Sequence, residues 1–297
     1  MTSTAALDQL AIRRARDSEL RAARLLLPEA FGPGQAPEVL LALLDGKPVG
    51  AAALSWSPGG FPLDVHVVPP FRRRGIGRIL VDAACRFAEG ETVRLRGWNL
   101  IVEGSDADRF LRAVGFTVAQ RFLGFETDGV KLVEVTGAIY KRLERTGKIP
   151  ATARLISLSE SSRTEVARLV LSEVAVVPAT LAARLATQDG GGYEDDLSIV
   201  LLVDGKVGGA TLMTRTDDTV RLEITVVAPA LRHGWANALL LGEATRRGIA
   251  SGAKRCRFFC DEHVRETINA ARRIGAAPLG AALAFERRLA PSEASPA

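Results

Sequence analysis

The chain has 297 residues, of which 47% are hydrophobic and 25% charged, with a formal net charge of +5 and an isoelectric point near 9.4. This balance is typical of a globular protein with a substantial core. No apolar run reaches membrane-spanning length, and the first residues lack the long apolar segment of a signal peptide. We therefore expect a cytoplasmic protein that does not act at a membrane.

Three cysteines argue against a disulfide framework: Cys85, Cys256 and Cys260. Cys256 and Cys260 lie on one predicted strand, where four residues at about 3.3 Å each separate them by roughly 13 Å, too far for a disulfide. No histidine and cysteine cluster has the spacing of metal ligands, so we predict no metal site.

In chain order, the first half predicts a strand, an amphipathic helix, a hairpin closed by an Asp-Gly turn, a fourth strand, a helix, a fifth strand and a short helix before closing strands. The corresponding residues are 10–14, 17–27, 39–54, 63–68, 77–88, 92–96 and 106–114. Antiparallel strands followed by a strand–helix–strand unit predict an α+β domain.

The same pattern recurs in the second half of the chain. Two matched pairs are 159 residues apart and two are 160 apart, namely Asp45 and Asp204, Gly75 and Gly234, Gly115 and Gly275, and Phe125 and Phe285. Four pairs in order at nearly constant spacing indicate a duplicated domain.

The repeat defines the predicted domain limits. We expect an N-terminal domain over 10–128 and a C-terminal domain over 151–289. A connecting segment containing a helix, residues 129–150, ends at Pro150, and the polar residues 290–297 form a disordered tail.

A glycine-rich junction, VVPPFRRRGIGRIL at 67–80, lies between the fourth strand and the following helix. The first turn of a helix has unpaired N–H groups and a partial positive charge, so it attracts anions. Gly75 and Gly77 remove Cβ atoms that would block an approaching oxygen, and three arginines, Arg72, Arg73 and Arg74, add attraction. The alternative is a tight turn without a ligand. Neither the Rossmann nor the Walker glycine pattern is present.

This junction resembles the acyl-CoA signature of the GNAT N-acetyltransferase superfamily, Val-x-Pro-x-aromatic-Arg-x-x-Gly-x-Gly followed by a helix. The upstream DGKPVG hairpin and the downstream RFLRAVGF resemble the flanking segments of that superfamily in the expected order. The resemblance covers residues 10–128, and 152–289 more loosely. It implies a duplicated GNAT fold, in which each copy has a mixed, mostly antiparallel sheet flanked by helices.

The resemblance also implies an N-acetyltransferase that uses acetyl-CoA as co-substrate and a primary amine as acceptor. The loop and helix start that would wrap the coenzyme pyrophosphate are Arg72, Arg73, Arg74, Gly75, Ile76, Gly77 and Arg78. Backbone groups near Val67 and Val68 would bond the pantetheine amides, and an N–H there would polarise the thioester carbonyl.

Direct attack by an amine requires a group that takes the ammonium proton. Asp64 and His66 are two residues apart on the fourth strand and therefore share one face. His66 has a suitable ordinary pKa, and Asp64 could orient it or act through water. The alternative is that both residues make structural hydrogen bonds or line the acceptor pocket.

The sequence departs from the family pattern at the expected tyrosine acid, where Leu111 stands. Tyr140 and Tyr193 lie outside the first copy, and a surface or packing role is expected for both.

The second copy departs further. Its loop carries Leu231 at the expected Arg72 position and Trp235 in the turn, beside His233, while Glu223 and Thr225 are expected at the places of Asp64 and His66. Trp235 is expected to plug the cleft. Weakened or lost coenzyme binding is therefore expected in the second copy.

Two function classes follow. The first is acetyl transfer to an amine of a small molecule or peptide, by a bacterial enzyme. The second is a catalytically weak or inactive tandem protein that binds acyl-CoA and acts as a regulatory or binding module. Nucleic-acid binding is disfavoured because no stacking aromatics interleave with the arginines. The acceptor and the oligomeric state stay open.

Overall fold

The computed structural model describes residues 9–31, 37–56, 60–89, 94–97, 99–174, 178–187, 192–232 and 235–289. Internal contacts divide the chain into two compact units. The N-terminal unit comprises residues 1–120 and 283–297, and the C-terminal unit comprises residues 121–282. The predicted tail, 290–297, lies outside the described residues.

The first half of the chain forms seven described strands and three α-helices before residue 129. They are β1 Leu10–Arg14, α1 Leu20–Leu26, β2 Glu38–Leu44, β3 Lys47–Leu54, β4 Phe61–Val67, α2 Ile76–Ala88, β5 Arg94–Gly97, β6 Ile101–Val102, α3 Asp106–Ala113 and β7 Thr117–Asp128.

The second half repeats this order with two additional helices, α4 and α6, and with no described counterpart of β6. Its elements are α4 Gly129–Arg145, β8 Arg154–Ser157, α5 Arg163–Glu173, α6 Pro178–Ala186, β9 Ile199–Val203, β10 Lys206–Thr216, β11 Thr219–Val227, α7 Trp235–Ala250, β12 Arg255–Asp261, α8 Arg265–Arg273 and β13 Ala277–Arg288.

Each unit builds its sheet in the same way. In the N-terminal unit β1 to β4 pair antiparallel in sequence order, and β4 then pairs parallel with β5. In the C-terminal unit β8 to β11 follow the same order before the parallel pair of β11 and β12. The predicted α+β class with a mostly antiparallel sheet flanked by helices is confirmed.

Both predicted Asp-Gly hairpins are present, and their backbone explains the sequence. Asp45 and Gly46 have φ values of 51° and 75°, and Asp204 and Gly205 have 51° and 76°. Two consecutive left-handed residues form the tight turn whose twist suits a two-residue hairpin, and aspartate followed by glycine adopts it readily.

The closing strands are exchanged between the two copies of the repeat. The end of β13 pairs antiparallel with β5, with Glu286 opposite Arg96. The end of β7 pairs antiparallel with β12, with Phe125 opposite Phe258. The division into units therefore differs from the predicted limits of 10–128 and 151–289, because each copy contributes its last strand to the other copy's sheet.

The cores follow this exchange. In the N-terminal unit, Leu283, Phe285 and Leu289 are buried in the same cluster as Leu80 of α2 and Leu95 of β5.

The C-terminal unit includes the helix of the predicted connecting segment. This helix, α4, packs against α7, and Leu132 is buried in the core of this unit. Gly129 allows the close approach, since a Cβ there would lie 2.0 Å from the Ile249 side chain. The connecting segment 129–150 thus contains a helix and lies in the C-terminal unit.

The three cysteines are free, as their spacing predicts. Within the described ranges, no three or more histidine, cysteine or acidic side chains are grouped so as to hold a metal ion. No helix in the described part of the chain is long and apolar enough to cross a membrane.

Replacing Phe285 tests the exchanged strand. Phe285 is 2% exposed in the N-terminal core, so Phe285→Ala is expected to lower the free energy of unfolding by about 3–5 kcal/mol. This free energy of unfolding is measured by urea denaturation monitored by circular dichroism. Leu279 lies on the same strand but is 45% exposed, so Leu279→Ala should change stability by less than about 0.5 kcal/mol. Equal effects of the two substitutions would contradict the exchange.

Candidate active site

Among the described residues, no strand pairs with the second half of β4 on the side away from β3. β4 pairs with β3 from Leu63 to Val67. Its described pairing with β5 covers Phe61 to Leu63 and ends opposite Gly97. Beyond that point, Asp64 to Val67 extend past the end of β5, so an extended ligand could pair with β4 there. β11 likewise continues past its last pair with β12, Leu222 opposite Phe258.

The hydrogen bonds of the sheet show which backbone groups face this opening. The Val68 N–H donates to the Val49 carbonyl at 3.0 Å and is therefore engaged with β3. Because backbone groups alternate sides along a strand, the amides of Val65 and Val67 point away from β3. Of the two predicted residues, Val67 presents its N–H toward the opening and Val68 does not.

The two candidate catalytic side chains lie on the face of β4 opposite the core. Leu63, Val65 and Val67 pack in the cluster that contains α2, so Asp64 and His66 point to the other face. Their neighbours on β3 are Ala53 and Ala51. Both of these small side chains are fully buried, with an exposed fraction of 0%.

The environment of His66 favours its neutral form. Burial lowers the pKa of the imidazole, and the nearby charge of Arg72 lowers it further. A neutral imidazole at pH 7 can accept a proton, as a general base must.

The loop after β4 ends in a left-handed glycine that begins α2. Gly75 is the N-cap, with φ 85° and ψ −9°, and no side chain caps the helix. The first turn holds no acidic residue. A Cβ at Gly75 would have no heavy atom within 4 Å, so the space in front of the first N–H groups is open. These features fit an anion such as a phosphate.

The loop arginines have different environments. The Arg72 Nε donates to the Val67 carbonyl at 2.8 Å, and the Arg74 guanidinium lies over the Phe71 ring at 5.4 Å. Arg109 lowers the pKa of Asp106, at the start of α3, through a hydrogen bond and its charge. The charges of Arg73 and Arg72 lower it further by smaller amounts.

Arg78 and Gly77 have packing roles in this structure. Arg78 donates to the Ala113 carbonyl at 2.8 Å and ties α2 to the end of α3. A Cβ at Gly77 would lie 3.0 Å from the Phe110 ring. Gly77 thus makes room for Phe110, which differs from the expected role of admitting an oxygen. In the second copy the buried Ala236 takes the place of Gly77, and Ala270 takes the place of Phe110.

The second copy has a shorter loop. The short helical turns Pro69–Phe71 and Pro229–Leu231 correspond, but α2 begins at Ile76 and α7 at Trp235. One residue fewer therefore separates turn and helix. Arg232, and not Leu231, corresponds to Arg72, and its Nε contacts the Val227 carbonyl at 3.4 Å.

The register of β11 also corrects the expected counterparts of the catalytic pair. Ile224 lies opposite Leu212 and Val226 opposite Ala210, as Asp64 and His66 lie opposite Ala53 and Ala51. A bulge in β11 places Glu223 between the paired residues. The second copy thus has two apolar side chains at these positions, where Glu223 and Thr225 were expected.

The described residues of the second loop make further contacts. Arg232 forms an ion pair with Glu173 of α5. The Leu231 side chain packs close to Gly208, where an added Cβ would lie only 2.6 Å from it. Trp235 packs against the core of the C-terminal unit. His233 and Gly234 lie outside the described residues.

Neither tyrosine belongs to the N-terminal unit. Leu111 packs against that unit's core. Tyr193 is buried under the Arg184 guanidinium at 4.2 Å, and burial raises the pKa of its phenol. Tyr140 is exposed on α4.

Sequence reasoning missed the contacts of Arg72 with Val67 and of Gly77 with Phe110. The signal for the second was the pair of small residues, Ala236 and Ala270, in the other copy.

Comparison with known proteins agrees with this geometry. Residues 6–116 match the family model described as acetyltransferase (GNAT) family. A stretch of 70 residues is 40% identical to a mycothiol acetyltransferase of Clavibacter michiganensis subsp. michiganensis, which is 24% of this chain and 22% of that protein. The match thus spans less than a quarter of the length of the curated relative.

Solved structures resemble the chain along nearly its whole length. A tandem GNAT protein from the clavulanic acid biosynthesis pathway has a TM-score of 0.55 at 17% identity, covering 96% of this chain and 100% of that one. A GCN5-related N-acetyltransferase from Sphaerobacter thermophilus has a TM-score of 0.52 at 15% identity, covering 96% and 97%. At these identities the likeness concerns the fold. Residues 6–116 thus match the GNAT acetyltransferase family, and the chain as a whole has the tandem GNAT fold of these solved structures.

Proposed function

We propose that this protein is an acetyl-CoA-dependent N-acetyltransferase whose N-terminal unit binds the coenzyme and acetylates a primary amine of a small molecule or peptide. The observation that carries the proposal is the uncapped start of α2 at Gly75, next to the open edge of β4. The family match over residues 6–116 supports the same unit.

The residues present fit the coenzyme. The first-turn N–H groups of α2 from Ile76 onward would hold the diphosphate, with Arg73 and Arg74 adding positive charge. Other backbone groups of β4 that point away from β3 would bond the extended pantetheine chain, which leaves the Val67 N–H for the thioester carbonyl. Acetyl-CoA, when bound, supplies the acetyl group as a thioester that an amine can attack directly.

The chain's own groups then assist the transfer. His66 takes a proton from the acceptor ammonium, and the free amine forms the new C–N bond as the C–S bond breaks. The Val67 N–H donates to the carbonyl oxygen as negative charge develops there. Asp64, on the same face, orients the acceptor amine or the imidazole. The N-terminal unit contains no tyrosine, so the thiolate leaves without a phenolic acid.

The C-terminal unit serves a structural role in this proposal. Its loop arginine is paired with Glu173, and Ile224 and Val226 stand at the positions of the catalytic pair. Its closing strand, β13, supplies buried side chains to the N-terminal core. We therefore expect one coenzyme molecule per chain.

A second candidate is a protein that binds acyl-CoA without turnover and regulates a partner. The apolar Leu111 at the position of the expected acid favours it. Transfer of labelled acetyl from acetyl-CoA to any amine in an acceptor screen supports the enzyme. Coenzyme binding without transfer to any amine supports the regulatory protein.

Gly75→Ala tests the coenzyme loop. A Cβ at Gly75 would stand in front of the first-turn N–H groups, and losing one charge-assisted hydrogen bond there should weaken coenzyme A binding about tenfold or more. Calorimetric titration measures the dissociation constant. Gly46→Ala is the matched control, because Gly46 also has a positive φ and open space but lies in the β2–β3 turn. Similar losses for both variants would show that backbone strain, and not a blocked site, causes the effect.

His66→Gln tests the proposed base. The substitution should lower kcat/KM between about 100-fold and 10,000-fold. In the wild-type protein kcat/KM should rise with pH as the imidazole loses its proton. Because the pKa of His66 lies below its ordinary value of 6.5, this rise should be complete near neutral pH. The pH profile of the His66→Gln variant should lack this rise at low pH. A rise that persists unchanged in the variant would show that another group is responsible for it.

A further inference from the structure

The side chain of Arg72 connects the coenzyme loop to the strand that carries His66. Its Nε donates to the Val67 carbonyl at 2.8 Å, and Val67 follows His66 directly. The second copy keeps the equivalent contact from Arg232 to Val227, although Val226 stands there in the place of His66. The hydrogen bond therefore belongs to the loop architecture, while the effect on a histidine is confined to the N-terminal unit.

The two arginines differ in how their charge is balanced. Arg232 is paired with the Glu173 carboxylate. Arg72 forms no ion pair with any acidic residue in the described part of the chain, and it contacts a neutral carbonyl. The Arg72 cation is therefore less closely balanced than that of Arg232, although it also acts on the Asp106 carboxylate as the last of several charges.

Few other charges surround His66. On β4 itself, Asp64 shares its face, and β3 presents Ala51 opposite it. The helix α1 packs against β2 and β3, and Ala23 is its buried residue. Arg72 is thus the cation that acts on the imidazole, and it disfavours the protonated form.

We propose that Arg72, whose Nε is bonded to the carbonyl of the residue after His66, is a positioning residue that makes the basicity of His66 depend on bound coenzyme: its cation adds to burial in disfavouring the imidazolium in the free protein, and a diphosphate at the loop neutralises that cation. This inference rests on the proposed function, because the diphosphate is that of the coenzyme. The consequence is that His66 becomes a stronger base when the acetyl donor is in place.

Titration of the histidine ring signals by NMR tests the proposal. The chain has three histidines, and His66→Gln assigns the relevant signal. In the coenzyme-free protein, Arg72→Gln should move the titration midpoint of His66 to higher pH. Arg72→Lys, which keeps a positive charge without the guanidinium bond to Val67, should leave the midpoint closer to wild type. Arg74→Gln is the matched control, since Arg74 stacks on Phe71, and it should leave the midpoint unchanged.

The second part of the test repeats the NMR titration of His66 in the presence of saturating coenzyme A. The wild-type midpoint should rise on binding, and the Arg72→Gln midpoint should rise less. An unchanged His66 midpoint in free Arg72→Gln, or an equal rise with coenzyme A in both proteins, would overturn the proposal. Failure of the wild-type protein to bind coenzyme A would overturn the proposed function instead, while the comparison of the coenzyme-free proteins would still decide whether Arg72 sets the protonation of His66.

Discussion

The first turn of α2 presents backbone N–H groups that no protein side chain caps, and the candidate site is arranged around them. Gly75 can open the helix at φ 85° without a side chain in front of these groups. β4 leads directly into this loop, and its described pairing with β5 ends at Leu63. In the proposed complex, the diphosphate would lie at the helix start and the pantetheine chain of the same coenzyme would extend along β4. The candidate base, His66, stands on the same strand.

The exchange of closing strands makes the duplication a structural requirement of the site. β13 comes from the second copy, yet Leu283, Phe285 and Leu289 complete the core beneath α2 and β5. Phe285 also contacts Gly97, with its Cβ 3.5 Å from the position of an added Cβ there. The second copy therefore contributes buried side chains to the N-terminal core, although its own loop arginine is paired with Glu173.

Much of the fold and the loop could be predicted from sequence, because Asp-Gly turns and a glycine junction have strong local signals. The exchanged strands could not, since LGFET and LAFER are alike and nothing in them selects one sheet over the other. The match of Leu231 to Arg72 failed for a different reason. The second copy has one extra residue in the bulge of β11 and one residue fewer in the following loop. The two changes cancel, so matched residues before and after them are both 159 apart and the sequence spacing reveals neither change. The role of Gly77 depended on Phe110, a contact across 33 residues.

The number of coenzyme sites tests the account most directly. Calorimetric titration of the intact chain with acetyl-CoA should give one site per chain, because Arg232 of the second copy is paired with Glu173, whereas no described side chain caps α2 at Gly75. A single site that survives the Gly75→Ala substitution unchanged would contradict the assignment, as would two equivalent sites or none.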